Sequence, residues 1–564
     1  MMIEHLSPGL ILVIGAFLVP VLRGHWRAAY MLLLPILCGW QMLNLEPGDH
    51  STFNAFDYPL VMLRVDKLSL IFGYIFTIAS FLSVIYALHV KDTVQQVAGL
   101  SYAGAAICAA FAGDLISLFV FWELTAITSV FLIWAARSER AFRTGMRYLV
   151  IQVGSGVLLL SGAILIIGDT GSVTFDKIGL DSLGGKLILI SFGIKAAFPL
   201  LHNWLQDAYP EATVTGTVFL SAFTTKLAIY ALARGFPGTE MLIWIGATMT
   251  AFPIFFAVIE NDLRRVLAYS LNNQLGFMVV GIGIGTELAL NGAASHAFAH
   301  ILYKALLFMS MGAVLYRAGT ANGSDLGGLY KSMPWSTTFC IIGAASISGF
   351  PLFSGFVTKS MILTAAADEG YWVTWTILLF ASAGVFHHSG IKIPYFAFFA
   401  HDSGKRVQEA PLNMLIAMGL TAFLCIFIGI NPEPLYAILP YSVNYVPYTT
   451  SHVITMLQLL AFAALAFAVL NRYGYYPPEL RSTNLDTDWI YRHLIPRVVA
   501  RFLTSLVQAC NELRRWRSAL ATYLLARVFH YHGPRGILAR TWAISGAAVW
   551  VVVLLGGYLL VYYL

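Results

Sequence analysis

The sequence predicts an all-α protein that crosses a membrane many times. Of its 564 residues, 58% are hydrophobic and only 11% are charged, and the mean hydropathy is +0.74. Soluble domains carry about 25% charged residues, so this chain has too few charges to cover a water-facing surface of its size. Apolar runs of about 20 residues, the length that spans a bilayer as a helix, recur along it. These observations exclude a soluble enzyme, a secreted disulfide scaffold and a disordered chain.

Sixteen apolar stretches are candidate transmembrane spans. We expect the first span to be retained rather than cleaved as a signal, because Arg23 and Arg27 follow it and another span comes at once. The approximate bounds are 6–22, 28–45, 68–89, 97–112, 114–136, 148–168, 185–205, 216–236, 240–259, 266–285, 288–316, 335–366, 371–400, 411–430, 455–471 and 541–564.

The basic loops predict how the spans are oriented. Lys and Arg concentrate in cytoplasmic loops, and here the basic loops follow the first, fifth, ninth and thirteenth spans. Their basic residues are Arg23, Arg27, Arg137, Arg140, Arg143, Arg147, Arg264, Arg265, Lys405 and Arg406. The loops after the second and sixth spans are acidic or mixed. The pattern predicts an N-terminus outside the cytoplasm and, with sixteen spans, a C-terminus on the same side.

A basic stretch at residues 477–540 differs from the rest, with ten arginines against four acidic residues. Between Ile495 and Tyr531 apolar residues recur at helical spacing, which predicts an amphipathic helix on the cytoplasmic membrane surface, followed by a terminal anchor at 541–564. Two partners stay open for its basic face: anionic lipid and neighbouring subunits. We expect no nucleic-acid partner, because the sequence contains no recognisable nucleic-acid-binding module.

Titratable side chains inside apolar spans are expensive to bury and are therefore candidate functional residues. His296, His300 and Lys304 follow one another at intervals of four, so they form a row about 12 Å long on one helix face. The alternatives are a satisfied core histidine and a lysine that reaches the membrane surface. The candidates are Glu123, Lys195, Lys226, His296, His300, Lys304 and Lys359, and the roles of His387, His388 and Lys392 are left open.

Two spans contain a helix-breaking proline close to a lysine. Lys195 precedes Phe198-Pro199-Leu200, and Gly349-Phe350-Pro351-Leu352 precedes Lys359. Proline interrupts a helix, and irregular backbone at membrane depth is tolerated only where it is buried in protein or lines water. A pair of broken helices indicates an internal repeat with ion sites at the breaks.

Seven segments resemble the antiporter-like membrane subunits shared by respiratory complex I and Mrp-type cation/proton antiporters. They are RVDKLSLIFGYIF, DLISLFVFWELTAITS, KAAFPLLHNWLQDAYPEATVTGT, ENDLRRVLAYSLNNQLGF, HAFAHILYKALLFMSMG, DLGGLYKSMPWSTTF and SGFPLFSGFVTKSMIL. They occur in the family order over about residues 60–430. TTKLAIYALARG and HHSGIKIPYFAFF resemble the branch of the Mrp D subunits most.

The resemblance implies a core of about 14 helices with two inverted five-helix repeats, each carrying a half-channel. By motif, Glu123 corresponds to the glutamate of the fifth helix and Lys195 to the lysine of the broken seventh helix. Lys226 corresponds to the relay lysine of the eighth. His296, His300 and Lys304 correspond to the relay of the eleventh helix, and Lys359 to the lysine of the broken twelfth. After about residue 475 the chain resembles the lateral helix and anchor of the largest antiporter-like subunit of complex I.

The predicted domains follow from these segments. They are 1–95, the N-terminal helices; 96–236 and 237–400, the two repeats; 401–476, the C-terminal core helices; 477–540, the basic segment; and 541–564, the anchor.

The predicted function is proton translocation through a central file of buried Glu, Lys and His residues, in a multi-pass subunit of a bacterial cytoplasmic membrane antiporter. The alternatives are a proton-pumping subunit of a complex I-like NADH:quinone oxidoreductase and a structural scaffold subunit. Expected partners are other membrane subunits, the lipid bilayer, protons and, as an open question, Na⁺. No cofactor or metal is expected, because the five cysteines share no CxxC spacing and are typical of small apolar positions in helices.

Overall fold

The computed structural model describes residues 6–55, 58–481, 484–541 and 543–564, so the parts of the predicted segments that fall in the gaps lie outside the described residues. The chain divides into two units, Met1–Asn484 and Leu485–Leu564. The predicted helical membrane fold is confirmed, and the protein is a multi-pass membrane protein.

Helices form nearly all of the first unit. They are α1 Gly9–Ala16, α2 Gly24–Leu43, α3 Lys67–Ala87, α4 Thr93–Phe111, α5 Leu115–Trp134, α6 Glu139–Thr170, α7 Leu183–Ala196, α8 Asn203–Glu211, α9 Val214–Ala222, α10 Thr224–Gly235, α11 Met241–Ile259, α12 Leu263–Ile284, α13 Glu287–Ala318, α14 Pro334–Ser348, α15 Ser354–Asp368, α16 Trp372–Val385, α17 Lys392–Pro394, α18 Leu412–Ile430, α19 Glu433–Ala437 and α20 Thr450–Arg472. Two π-helical stretches, Phe386–Ile391 and Tyr395–Phe399, flank α17.

The second unit contains a long helix and a terminal apolar helix. These are α21 Ile495–His532 and α22 Ile544–Tyr563, and a π-helical turn at Ile490–Leu494 precedes α21. Both lie where the sequence predicts an amphipathic helix and an anchor. None of the described residues of α21 or α22 is buried.

A β-hairpin between α2 and α3 was not predicted. Strand β1, Gly48–Ala55, pairs antiparallel with β2, Tyr58–Val65. In β2, Leu60, Leu63 and Val65 are buried, but this short pattern lies between two much longer apolar runs and the sequence predicted only an acidic loop.

Ten helices of the described residues are long and apolar enough to cross a membrane. The predicted count of sixteen spans therefore stays a prediction. Several of the remaining segments are short because a helix breaks inside the predicted span. Helix α12 has 22 residues, but it contains two arginines near its start and four polar residues further along. The polar residues are Ser270, Asn272, Asn273 and Gln274.

Both predicted proline breaks are present, and a third break was not predicted. The chain leaves helical geometry between α7 and α8 and between α14 and α15, as expected from Pro199 and Pro351. The predicted span 216–236 is also divided, at Phe223, between α9 and α10. No proline or glycine lies near Phe223, so the third break has no local sequence signal.

The two halves of the first unit share a repeated scaffold. Helices α6 and α13 are both 32 residues long, and each ends at a left-handed glycine, Gly171 and Gly319. An isolated bridge pairs Asp114 with Thr174, and another pairs Asp262 with Asn322. Every one of these features recurs 148 positions later, which supports an internal repeat. The number and relative orientation of the repeats stay predictions.

Helix α13 lies at the centre of the bundle and therefore positions whatever it carries. It packs against α3, α9, α12, α14, α15 and α18. Within an apolar stretch of 18 residues of α13, 94% of the residues are buried, compared with 33% in the corresponding stretch of α6. The row predicted on α13 consequently lies in the protein interior.

Asp114 joins the β-hairpin to α5. Its fully buried carboxylate accepts hydrogen bonds from the amides of Ile116 (2.9 Å) and Ser117 (2.7 Å) at the start of α5, and from the amide of Val61 in β2 (2.8 Å). The side chain thus satisfies helix amides that have no partner within the helix, together with one strand amide.

We expect Asp114→Ala to lower the free energy of unfolding by about 2 kcal/mol, because the cap is lost and the Val61 amide is left buried without an acceptor. Thermal unfolding of the purified protein in lipid nanodiscs measures the effect. Asp169→Ala, at an exposed position in the last turn of α6, is the control. Equal melting temperatures for the two variants would contradict this role.

Candidate functional site

The structure places all seven candidate residues in the first unit. Lys195, Lys226 and the three residues of the α13 row are fully buried, Lys359 is 2% exposed and Glu123 is half-buried. They lie on α5, α7, α10, α13 and α15. We call these seven residues the buried file.

Lys195 lies in the last turn of α7, beside the first helix break. Its ammonium donates hydrogen bonds to the carbonyl of Trp122 (2.6 Å) and to the hydroxyl of Thr125 (3.0 Å), and it lies 4.3 Å from the centroid of the Trp122 ring. After α7, Ala197 adopts a left-handed conformation, and the Trp204 indole donates to the carbonyl of Ile194 (2.8 Å). The break is therefore stable because side chains satisfy part of the interrupted backbone.

Glu123 interacts electrostatically with Lys195 across the interface between α5 and α7. Its carboxylate occupies space left by Gly156 on α6, where an added Cβ would overlap Glu123 Oε1. This oxygen is buried and has no hydrogen-bond partner among the described residues. The site is thus an acid beside a base, with one acceptor position of the acid open.

Lys226 lies in the first turn of α10, beside the unpredicted break at Phe223. Its ammonium donates to the carbonyl of Ser221 (2.5 Å), and the amide of Thr224 donates to the hydroxyl of Tyr102 (2.9 Å). Side chains therefore satisfy the backbone groups that the break releases. A lysine and a tyrosine, rather than a proline, accompany this break.

Hydroxyl groups occupy the region between Lys195 and Lys226. Thr125 accepts from Lys195, and one turn later on α5 the Ser129 hydroxyl lies 2.8 Å from the hydroxyl of Tyr148 on α6. Tyr148 in turn interacts with Thr224, at the start of the helix that carries Lys226. The hydroxyls of Ser129, Tyr148 and Thr224 both donate and accept hydrogen bonds, so they cover part of the path between the two lysines.

His296 has partners for both of its protonation states. Its Nδ1 lies 3.1 Å from Thr358 Oγ1, while its Nε2 lies 3.3 Å from Gln274 Oε1 and 3.3 Å from the Tyr303 hydroxyl. The Tyr303 hydroxyl also reaches Gln274 Oε1, at 3.1 Å. A neutral ring accepts at Nε2 from Tyr303, whereas a protonated ring donates there to Gln274 while the tyrosine turns to the same oxygen.

His300 and Lys304 continue the row, and neither has a side-chain hydrogen-bond partner among the described residues. The two ring nitrogens of His300 and the ammonium of Lys304 are buried and make no hydrogen bond to any described residue. His300 interacts electrostatically with Lys226, Lys304 and His296, and its ring centroid lies 6.3 Å from that of His296. The row thus extends from the region of Lys226 into the interior of the bundle.

Lys359 lies beyond the second proline break, on α15. Its ammonium lies 5.5 Å from the centroid of the Phe277 ring and interacts electrostatically with His296. It too lacks a hydrogen-bond partner in the part of the chain that the structure describes. The break nearby contains Gly349 and Leu352, both at positive φ.

Side-chain amides that were not predicted from the sequence also lie in the protein interior with the buried file. Gln274 bridges His296 and Tyr303, while both polar atoms of Gln152 and of Asn272 are buried without partners among the described residues. Uncharged amides do not stand out in an apolar span. The repeat provides the signal that could have found one of them, because Gln152 on α6 occupies the position that His300 occupies on α13.

Within the described residues, no group of three or more His, Cys, Asp or Glu side chains is arranged to hold a metal ion. All five cysteines are free. Cys38, Cys108, Cys340 and Cys425 are buried as predicted for small apolar positions, whereas Cys510 on α21 is exposed.

The family profile described as "NADH:quinone oxidoreductase/Mrp antiporter, TM" matches residues 112–386. The D subunit of the Na(+)/H(+) antiporter of Alkalihalophilus pseudofirmus is 31% identical over 349 residues, which cover 57% of this chain and 70% of that protein. The chain belongs to the NADH:quinone oxidoreductase/Mrp antiporter transmembrane family. The predicted resemblance is confirmed.

Other relatives match smaller parts of their own length. The N subunit of the NADH-quinone oxidoreductase of Desulforudis audaxviator is 32% identical over 48% of this chain and 58% of its own. The A/B subunit of a probable K(+)/H(+) antiporter of Rhizobium meliloti is 31% identical over 66% of this chain, which spans only 40% of that protein.

Solved structures share the fold of this family member. A chain of the Mrp complex from a Dietzia species superposes with a TM-score of 0.65 at 20% identity, covering 82% of this chain and 95% of that one. A chain of respiratory complex I from Thermus thermophilus gives 0.65 at 21% identity, covering 76% and 97%. At these identities the likeness establishes the fold alone.

The unpartnered atoms of the buried file predict internal water, because buried polar groups are almost always hydrogen-bonded to protein or water. An experimental density map that resolves water molecules is expected to show at least one within hydrogen-bond distance of His300 and one near Lys304. The apolar contact between Phe76 and Phe223 is the internal control and stays dry. A dry His300 and Lys304 would contradict the prediction.

Proposed function

We propose that this chain is the proton-translocating membrane subunit of a multisubunit cation/proton antiporter, similar to the D subunits of Mrp antiporters, and that protons move along the buried file. The observation that carries the proposal is the burial of six titratable side chains in one bundle beside the half-buried Glu123, with electrostatic contact from Lys226 through the α13 row to Lys359. Titratable groups at this depth are expensive, so a set that faces the interior favours a proton pathway.

The pair Glu123 and Lys195 is where proton release begins. While Glu123 is charged and close, it favours the protonated form of Lys195. Neutralisation or withdrawal of Glu123 removes that attraction, and Lys195 then releases its proton toward Lys226 through the hydroxyls of Ser129 and Tyr148. Because the groups interact, they titrate as a coupled set.

From Lys226 the proton continues along α13. His300 and Lys304 receive it through water, and His296 passes it on toward Lys359. The partners of His296 support this role, because Tyr303 and Gln274 accommodate the ring with or without its second proton.

A purely structural scaffold is the less favoured alternative. In a scaffold, each buried charge is expected to be matched by its own counter-charge or acceptor. Lys304 and Lys359 have neither a carboxylate nor a carbonyl acceptor at hydrogen-bond distance among the described residues.

We also propose a bacterial cytoplasmic membrane as the location, with the N-terminus outside and other membrane subunits as partners. The clustering of basic residues in alternate loops supports this orientation. The names of the relatives, which are subunits of antiporters and oxidoreductases, support membership of a larger assembly.

A second candidate is a proton-pumping subunit of a complex I-like oxidoreductase. It is favoured by the long basic helix α21 and the terminal helix α22, which resemble the C-terminal extension of the largest antiporter-like subunit of complex I. Purification of the intact complex separates the two candidates, since small antiporter subunits support the first and redox subunits support the second.

Glu123→Ala and Lys195→Ala are each expected to lower proton-coupled antiport by at least about 100-fold, because each removes one member of the acid–base pair. Dye-monitored antiport in inverted membrane vesicles measures the rate, and co-purification of partner subunits checks assembly. Lys186→Ala, at an exposed position on the same helix as Lys195, is the control. Normal antiport in Glu123→Ala or in Lys195→Ala would eliminate the proposed proton pathway along the buried file.

Gly156→Ala tests the position of Glu123 without changing any titratable group. The new methyl group overlaps the Glu123 carboxylate, so we expect the carboxylate to move and antiport to fall at least about tenfold. Gly154→Ala is the matched control on the same helix, because an added Cβ meets nothing within 4 Å there. The same rate in both alanine variants would show that the placement of Glu123 is unimportant.

A further inference from the structure

A second group of buried charges lies at the C-terminal end of α11, outside the buried file. Lys392 is fully buried, and its ammonium lies 2.9 Å from Glu479 Oε1, in a carboxylate that is only 5% exposed. The same ammonium donates to the carbonyls of Val258 (2.6 Å) and Glu260 (2.7 Å). These carbonyls are the unpaired end of α11, so Lys392 caps that helix.

Capping does not account for Glu479. A lysine cap needs only the carbonyls, whereas burying a carboxylate as well adds a desolvation cost. The nearby Glu260 carboxylate has its own cation, Arg265 at 3.8 Å, and accepts from Asn484 at 3.1 Å. Lys392 is therefore the cation that pairs with the Glu479 carboxylate.

His388 connects Lys392 to the buried file. It lies one helical turn before Lys392 in a π-helical stretch, a geometry that recurs at functional sites. Its ring interacts electrostatically with Lys304, His387 and Lys392. Its Nδ1 hydrogen-bonds to Ser389 (2.9 Å), while its buried Nε2 has no partner in the described parts of the chain.

Glu479 also lines a cavity of about 310 Å³, together with Asn471, Tyr476 and His401. Such a volume holds roughly ten water molecules at about 30 Å³ each. The Tyr476 hydroxyl is buried there and has no partner within the described ranges, whereas Asn471 and His401 are exposed at the rim. Glu479 thus stands between a polar cavity and Lys392.

We propose that Glu479 and Lys392 form a lateral proton port, which connects this cavity to Lys304 of the buried file through His388. The port rests on the proposed proton-translocating function and adds a branch to it.

One cycle of the port moves a single proton from the cavity to Lys304 and restores Glu479, Lys392 and His388. The Glu479 carboxylate takes a proton from cavity water, which removes the counter-charge of Lys392. The Lys392 ammonium then gives a proton to Nε2 of His388, and the imidazolium formed passes this Nε2 proton to neutral Lys304, while Nδ1–H keeps its hydrogen bond to Ser389. The proton on Glu479 moves to Lys392, so the ion pair reforms.

The test is Glu479→Gln in the assembled complex, measured as antiport in inverted membrane vesicles. The substitution keeps the size of the side chain but cannot carry the proton, so we expect at least a tenfold loss, about the lower range for a positioned acid–base group. Arg481→Gln is the matched control. It removes the ion pair between Arg481 and Asp325 (2.8 Å) on the same segment, an interaction that also holds the pKa of Asp325 below its usual range.

Antiport within about twofold of the unsubstituted rate for Arg481→Gln, with the tenfold loss for Glu479→Gln, supports the port. Equal losses in both variants would show that the segment has only a structural role and would overturn the port. A normal rate for Glu479→Gln would also overturn it. Lys195→Ala is assayed alongside: if it transports normally, the proposed function itself fails. If it is inactive while Glu479→Gln is normal, only the port fails.

Discussion

The free-energy cost of removing ammonium groups from water constrains the whole interior of this protein. Hydrogen bonds to backbone carbonyls offset much of that cost. Lys195, Lys226 and Lys392 each donate to at least one main-chain carbonyl. A carbonyl accepts from a charged or a neutral amine and never changes its own charge. A lysine held in this way stays in place when its protonation changes. A permanent salt bridge, in contrast, would oppose that change of protonation.

The Ser221 carbonyl lies beside the break at Phe223, and the breaks in the helices show what sequence could and could not predict. Proline marked the breaks after Lys195 and before Lys359, and a titratable residue in an apolar run marked every member of the buried file. The break at Phe223 carries no such mark, because a tertiary contact from Tyr102 and a local contact from Lys226 stabilise it. The β-hairpin and the π-helical stretches likewise depend on packing partners distant in sequence.

The repeated scaffold carries different chemistry in its two copies. Positions 148, 152 and 156 on α6 are Tyr, Gln and Gly, while the equivalent positions on α13 are His296, His300 and Lys304. The first copy places an acid in the space left by its glycine, and the second fills that position with a base. A single framework thus holds an acid–base pair in one half and a row of bases in the other.

The equal length of α6 and α13 has a consequence for how this protein can diverge. Each residue turns an α-helix by about 100°, so removing one residue before His300 would swing the rest of α13 away from the interior. Side-chain replacements leave that angular phase untouched, whereas an insertion or deletion destroys it. The two copies differ at most of their positions, including the three central ones, and still have the same length.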